Sequence, residues 1–544
     1  MKTFQPKKKI AILLLIGILF LTYSFQSNFF EVAKQIEIYN TLFKELNMYY
    51  VDEINPAEFT NKAIKNTLKD LDPYTSFYTE QEVETAKIAR AGEYGGIGAT
   101  INYVKQGIEI SEVYKGFSAD KAALKAGDVI ISVNNQSLKN MEREQLSMLL
   151  KGVPNSVFSA EIVRQGEVVE KEIIREKIII NPVPFSEMIA EETGYIVLTR
   201  FNEKASSEVK KAYRKLKKQG MTKLVFDLRN NPGGSLLEAI RISNFFLPKG
   251  KKIVSTKAKI KKWSAIYSTK NEPLDLEIPI VVLVNERSAS AAEIVSGSLQ
   301  DYDRAVIMGK RSFGKGLVQR QKKLTYGTQL KVTISKYYTP SGRCIQELDY
   351  ENRDPKTGKV PKFSDTGVNE FKTANGRTVY DGGGVMPDVE TLTSNKNKTT
   401  EELLKSKVIF NFATRYFYEN ATLENPSDFN FKNSDFNEFT DFLKIDTTFL
   451  TEKERLFEKA FLAAKENKIS NAFNEIKENL SEEKLVEISK NKDLILEELK
   501  AEILERFFYK EGVYQYNLKN DKAISEAFTL LNNENKYSKI LSGK

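Results

Sequence analysis

Apolar residues recur every three or four positions in "EIYNTLFKELNMYY" and "PAEFTNKAIKNTLKDL", the spacing that lines one face of a helix. Residues 29–88 are therefore expected to form a helical segment, broken at Pro73 in "LDPYTSFYTEQE". From 89 to 178 the pattern changes to short β-branched runs between glycines: "GGIGATINYV", "GIEISEVY", "GDVIISVNNQSL" and "SVFSAEIVRQGEVVEKEIIRE". With helical patches at "ADKAALKA" and "EREQLSMLLKG", this predicts a compact α+β domain of five or six strands and two helices.

Residues 179–395 alternate strand and helix. "TGYIVLTRF", "KLVFDLRNN", "IPIVVLVN" and "RAVIMGK" read as strands, and "SSEVKKAYRKLKKQG", "SLLEAIRISNFFL" and "ASAAEIVSGSLQDY" as the helices between them. That order predicts an α/β core around a largely parallel sheet. From 396 to 544 the helical period returns, with Leu404, Val408, Phe412 and Tyr416 on one face. "TSNKNKTTE" is the best linker, and no internal repeat is visible. At the start, "MKTFQPKKK" precedes an uncharged apolar run from Ile10 to Phe25. Residues 1–28 are thus expected to be an uncleaved anchor helix or a cleaved signal, with the lysines holding the N-terminus in the cytoplasm.

A chain of 544 residues exceeds what one core supports, so the expectation is multidomain. The net charge of +9 does not point to nucleic acid, because the lysines are dispersed among almost as many acids. One cysteine, Cys344, excludes an intrachain disulfide, and with no histidine the usual zinc ligand sets are excluded too. Any metal would need oxygen ligands alone, and no cofactor is expected.

The missing histidine also excludes every Ser-His-Asp arrangement. A serine can still be activated by a lysine held uncharged by desolvation or by cationic neighbours. Ser290 stands where the strand "IPIVVLVN" turns into a helix, and Ser288 competes with it on spacing alone. Either could simply cap the helix. Lys315 lies between glycines in "SFGKG", near Lys310 and Arg311, and Gln319 four residues on could hold its amine. The plain alternatives are a solvated loop lysine and a surface glutamine. In "DLRNNPGGS", Gly233 and Gly234 open a helix after a strand, where backbone N–H groups could meet an oxyanion. The alternative there is an ordinary glycine turn, and no G-x-x-x-x-G-K-[ST] phosphate loop is present.

Taken together these stretches resemble the carboxy-terminal processing proteases, or tail-specific proteases, of the S41 serine peptidase family. "LDPYTSFYT", "YGGIGATI" and "ADKAALKAGDVIISVNNQSL" are similar to the family's PDZ region and the segment before it. "LVFDLRNNPGGSLLEA", "ERSASAAEI", "GKRSFGKGLVQ", "VTISKYYTPSGR" and "DGGGVMPDV" are similar to its protease core. The residue patterns mark an anchor or signal at 1–28, a helical segment at 29–88 and an all-α extension at 396–544 that matches no family motif; the resemblance, over most of 35–390, implies a PDZ domain at 89–178 and a crotonase-like ββα protease core at 179–395. It implies Ser290 as nucleophile, Lys315 as general base, Gln319 as the residue orienting the lysine, and an oxyanion hole from the backbone of Ala291 and of Gly233 or Gly234.

In the PDZ reading, backbone N–H groups around Gly96, Ile97 and Gly98 hold a terminal carboxylate, the peptide adds as a strand beside "GATINYV", and Ile97 and Ile101 floor the pocket. Cys344 departs from the small residue expected in "TPSGRCIQ" and reads as a buried hydrophobe. The implied protein is a serine endopeptidase of the cell envelope, facing the periplasm and tethered to the inner membrane. Its substrates are proteins recognised by their C-termini, and the C-terminal helices would serve self-association, an adaptor or a lid. Two alternatives compete: a catalytically silent PDZ scaffold, and an acyl-CoA enzyme with the same layered core.

Overall fold

The computed structural model describes residues 29–391, 396–420, 423, 425–446, 448–463 and 470–543. The expected anchor or signal at 1–28 lies outside the described residues. Among those described, no helix is long and apolar enough to cross a membrane.

The chain divides into two units, one ending at Phe77 and one beginning at Tyr78. In the first, a helix at 29–49 precedes the helix Pro56–Lys69. Asn55 starts the second helix by accepting the N–H groups of Ala57 and Glu58 at 3.1 and 3.2 Å, and Pro56 sits in the first turn, where its missing N–H costs nothing. The rings of Phe43 and Phe59 stack at 5.9 Å. Asp72 then folds the "LDPYT" turn, taking Tyr74 N, Thr75 N and Thr75 Oγ at 2.8 Å each.

The second unit opens with the strand-rich domain. Its sheet runs Ala99–Val104, Gly107–Val113, Val129–Val133, Val157–Arg164, Glu167–Ile174 in spatial order. Alternate residues fill a core of Ile108, Ile110, Ile130, Phe158, Ile162 and Ile173. Ala99–Val104 is the edge strand, paired on one side only. Glu93–Gly96 pairs with Glu176–Ile179 where the chain enters and leaves the domain.

The α/β layer that follows has a six-stranded sheet. Phe185–Met188 is antiparallel to Thr193–Val197; then Lys223–Asp227, Ile280–Val284, Val306–Gly309 and Val389–Glu390 follow in parallel. Ile280–Val284 is buried at every position, as a parallel strand covered on both faces must be. One face, with Leu224, Phe226, Ile280, Val282 and Ile307, packs on the helices Ala205–Lys218, Leu236–Phe246 and Ala291–Asp301. The other, with Tyr195, Val225, Val281, Leu283, Val306 and Met308, packs on Ile524, Ala527, Leu530, Leu531 and Tyr537 of the last two helices, Lys522–Leu531 and Glu534–Ser542. Each Val, Leu, Ile or Met among these contributes about 1.5–3 kcal/mol when fully buried. The Tyr537 hydroxyl also accepts from Ile280 N at 2.9 Å and donates to Ile280 O at 3.0 Å. An antiparallel sheet of Lys252–Ala258, Ala265–Ser268, Leu317–Lys323 and Gln329–Tyr338 flanks this layer.

The remaining helices form their own core around Leu403, Val408, Phe412, Phe439, Ile495, Leu499 and Ile503. Its longest element, Lys492–Asn520, bends at Tyr509, where φ is 60° and ψ is −173°. Near the bend it meets the strand-rich domain through Tyr509 and Asp120 at 2.5 Å, Lys510 and Glu112 at 2.7 Å, and Lys115 and Glu511 at 2.8 Å.

Candidate active site

Ser290 follows the strand Ile280–Val284 and caps the fully buried helix Ala291–Asp301. Its φ of 56° and ψ of −110° lie where a residue with a Cβ is strained, typically by about 1–3 kcal/mol. The surroundings hold it there. Gly233, at φ +93°, presses against the turn so closely that a Cβ on it would lie 2.8 Å from both Ser290 Cβ and Ala291 N. Ala289 N donates to Asn231 O at 2.9 Å. Ser288 is turned away from this point: its hydroxyl is buried, donating to Leu228 O at 2.8 Å and accepting from Asn285 N at 2.9 Å. A hydroxyl so engaged is a structural strut, and of the two serines only Ser290 stands partly exposed at the helix mouth.

A residue that the sequence reading passed over organises this turn. Glu293 is fully buried and receives four donors. Its Oε2 takes Ser290 N at 2.7 Å and Lys315 N at 3.0 Å; its Oε1 takes Gly314 N and Ser312 Oγ, both at 2.6 Å. Burial pushes its pKa up to about 6, against the pull of those four hydrogen bonds. The signal was present in the sequence, since "SAAE" carries the S-x-x-E spacing of a capping box.

Tyr337 is the second residue missed. Its buried hydroxyl reaches Ser290 O at 3.2 Å and Lys315 O at 2.5 Å. No local spacing marks a tyrosine on a strand as a bridge between two loops.

Lys315 lies in the loop between Val306–Gly309 and Leu317–Lys323, and Gln319 lies on the second of these strands, in the flanking sheet. Gly314 and Gly316 bracket the lysine, with Gly316 N donating to Gln346 Oε1 at 2.8 Å. Gln319 lies in Leu317–Lys323, opposite Thr333, and its Nε2 donates to Thr333 Oγ1 at 3.2 Å. The amide oxygen is thereby turned the other way.

The two glycines differ. Gly233 N donates to Asn231 Oδ1 at 2.9 Å, whereas the Gly234 N–H meets no acceptor among the described residues. Phe201 explains Gly234: its N–H bonds Gly233 O at 3.0 Å, its carbonyl accepts Ser235 N at 2.8 Å, and a Cβ on Gly234 would lie 2.3 Å from that carbonyl oxygen. Ala291, at the first helical position, has an N–H with no partner one turn back.

In the strand-rich domain, Gly96 ends a strand paired opposite Glu176, and Ile97 is buried in the core. Gly98, at φ +76°, leaves no room for a Cβ, which would lie 2.3 Å from Phe117 Cβ. Ile101 packs partly buried on the edge strand. Cys344 is half-buried, and burial raises its thiol pKa, which disfavours the reactive thiolate. Among the described residues no cluster of acids and cysteine could hold a metal ion.

Three family patterns match this chain: Peptidase family S41 over residues 192–351, PDZ domain over 85–158, and "Probable PDZ-protease, C-terminal helical domain" over 399–531. The chain is 35% identical over 308 residues to a "Probable CtpA-like serine protease" of Staphylococcus aureus (strain MRSA252), covering 56% of this chain and 61% of that protein. A protein of the same name from Staphylococcus saprophyticus is 33% identical over 341 residues, covering 62% of this chain and 68% of its own length. Among solved structures, the photosystem II D1 C-terminal processing protease aligns at 27% identity over 64% of this chain and 91% of its own, with a TM-score of 0.36. The strand-rich domain is a PDZ domain, the α/β layer is the S41 core, and the chain belongs to peptidase family S41.

Proposed function

We propose that this protein is a serine endopeptidase working through a Ser290–Lys315 dyad, with the PDZ domain selecting substrates by their C-termini. The observation that carries the reading is the double tie between the two residues, through Glu293 to their N–H groups and through Tyr337 to their carbonyls. A strained serine at a helix mouth and a lysine from a distant loop are otherwise hard to explain as a pair.

In the acylation step, the uncharged Lys315 amine takes the Ser290 hydroxyl proton as Oγ attacks the substrate carbonyl. The oxyanion that forms is met by Ala291 N–H and Gly234 N–H, since Gly233 N–H is already given to Asn231; one such donor is worth about 2.7–4 kcal/mol in the transition state. The ammonium on Lys315 then returns the proton to the leaving amine. Water attacks the acyl-enzyme in the second half as Lys315 takes its proton; the bond from Ser290 Oγ to the carbonyl breaks, and the lysine returns the proton to Oγ. Gln319, fixed by Thr333, offers its amide oxygen to the lysine.

The PDZ edge strand Ala99–Val104 offers an unpaired row of backbone groups to an extended peptide, the mode by which such domains hold C-terminal tails. The lysines and apolar run within residues 1–28 support tethering in the cell envelope, with exported proteins as substrates.

The test is cleavage of a loosely folded protein bearing an apolar C-terminal tail, against the same protein with a charged tail. Tail-dependent cleavage by the wild type and none by Ser290→Ala is expected. Equal cleavage by both enzymes would overturn the reading. Binding of the tail without cleavage by the wild type would favour the silent scaffold.

A further inference from the structure

The loop that carries the two glycines is anchored from the C-terminal helices. Arg229, six residues before Ser235, donates from Nε and Nη2 to Asp227 at 2.7–3.1 Å, and its Nη1 donates to Asp521 Oδ2 at 2.7 Å. Asp227 is itself buried at the end of a sheet strand, where it also accepts from Tyr195 OH at 2.7 Å. Burial works against the Arg229 charge, yet Asp227 and Asp521 raise its pKa well above the usual guanidinium value. The pair is mostly shielded, with side-chain exposures of 22% for Arg229 and 17% for Asp521, so solvent weakens it less than a surface pair.

Asp521 joins two helices. It follows Lys492–Asn520 and caps Lys522–Leu531, with Oδ1 accepting Ala523 N at 2.8 Å and Ile524 N at 3.3 Å. One carboxylate oxygen therefore holds the helix that is packed on the sheet, and the other holds Arg229.

From Arg229 the ties continue to the nucleophile turn. Asn230 N donates to Asn285 Oδ1 and Asn285 Nδ2 to Asn230 Oδ1, both at 2.9 Å. Leu228 O takes the Ser288 hydroxyl, Asn231 O takes Ala289 N, and Asn231 Oδ1 takes Gly233 N. The glycine loop and the Ser290 turn are one hydrogen-bonded piece, and Arg229 fastens it.

We propose that Asp521 is a positioning residue of the peptidase, fixing the loop 227–235 through Arg229, so that the C-terminal helices complete the active site. This rests on the reading of Gly234 and Ala291 as oxyanion donors. A donor displaced by even a fraction of an ångström loses its alignment with the oxyanion, and the penalty falls on the transition state, hence on kcat with KM little changed.

Two variants of the full-length chain separate this role from simple stabilisation. Asp521→Asn keeps a good helix cap and places an N–H donor or a neutral oxygen against Arg229. Asp521→Glu keeps the carboxylate and weakens the cap. The expected result is that Asp521→Asn, which keeps the cap but loses the ion pair, melts somewhat below wild type, loses kcat by about tenfold with KM within twofold, and shows faster amide exchange in peptides covering 227–235. Asp521→Glu melts lower yet keeps more of kcat. If kcat instead followed melting temperature in both variants, or if exchange at 227–235 were unchanged in Asp521→Asn, the proposal would be overturned. Should Ser290→Ala cleave like the wild type, the peptidase reading fails, while the exchange at 227–235 still decides whether Asp521 holds the loop.

Discussion

Ser290 and Lys315, twenty-five residues apart in the chain, donate their backbone N–H groups to the same oxygen, Glu293 Oε2, at 2.7 and 3.0 Å. Their carbonyls meet the same hydroxyl, that of Tyr337. Two side chains thus fix the spacing of two loops that leave neighbouring strands, Ile280–Val284 and Val306–Gly309, of the parallel sheet. Neither Glu293 nor Tyr337 need touch a substrate to matter.

Glu293 gives a pH signature in stability. Its pKa is raised from about 4.5 unfolded to about 6 folded, so the folded state binds the proton more tightly. The contribution to stability is fully present below pH 4.5 and is lost as pH rises through about 6. A shift of this size is worth roughly 2 kcal/mol. Denaturant melts of wild type and Glu293→Gln from pH 4 to 7.5 should show the gap moving in favour of the glutamine variant across that window, then levelling. A gap independent of pH would mean the carboxyl titrates normally.

Gly233→Ala should lower activity far more than its effect on folding suggests. The new Cβ would meet Ala289 O at 2.6 Å and Ala291 N and Ser290 Cβ at 2.8 Å, at a φ of +93°. Backbone must shift at Ser290 itself. A fall in kcat of at least tenfold, about 1.4 kcal/mol, is expected in steady-state assays.

Thr333→Val removes the acceptor that orients Gln319 while keeping the side-chain shape. We expect kcat to drop several-fold and Gln319→Ala to add little on top, because both act through one contact. Additive losses in the double variant would show that the two residues work separately.

Gly98→Ala should weaken peptide binding by the PDZ domain, since its Cβ would lie 2.3 Å from Phe117 Cβ. Gly166→Ala is the control: it carries the same kind of backbone strain, at φ +85°, with nothing within 4 Å. Fluorescence anisotropy with a labelled apolar C-terminal peptide should weaken for the first variant and hold for the second.

Much of the architecture is legible from local pattern. The run "IPIVVLVN" announces a strand buried on both faces, and the alternation of such runs with amphipathic helices announces a layered sheet. What covers the second face is not legible. Val281 and Leu283 require a cover, but nothing in their spacing says that Ile524, Ala527 and Leu530, some 240 residues later, supply it. The sequence leaves the C-terminal helices as an appendage for self-association, docking or a lid; two of them are packed on the sheet of the S41 core.

At the site, the absence of histidine turns attention to the lysines as candidate bases, and the glycine-bracketed Lys315 stands out. Spacing does not distinguish Ser288 from Ser290; in the fold the Ser288 hydroxyl is buried and bonded to Leu228 O, whereas Ser290 is partly exposed. Asp227, Arg229 and Tyr337 act through contacts between distant segments, which periodicity and short motifs do not encode.

The most direct test of the central claim is the cleavage rate of Lys315→Arg, measured on a tail-bearing substrate beside wild type and Ser290→Ala, with folding checked by melting. Arginine keeps the positive charge and cannot accept a proton near neutral pH. A rate reduced by about 10²–10⁴-fold, the usual worth of a general base, with Ser290→Ala equally inactive, is the predicted result. A folded Lys315→Arg enzyme cleaving at the wild-type rate would contradict it.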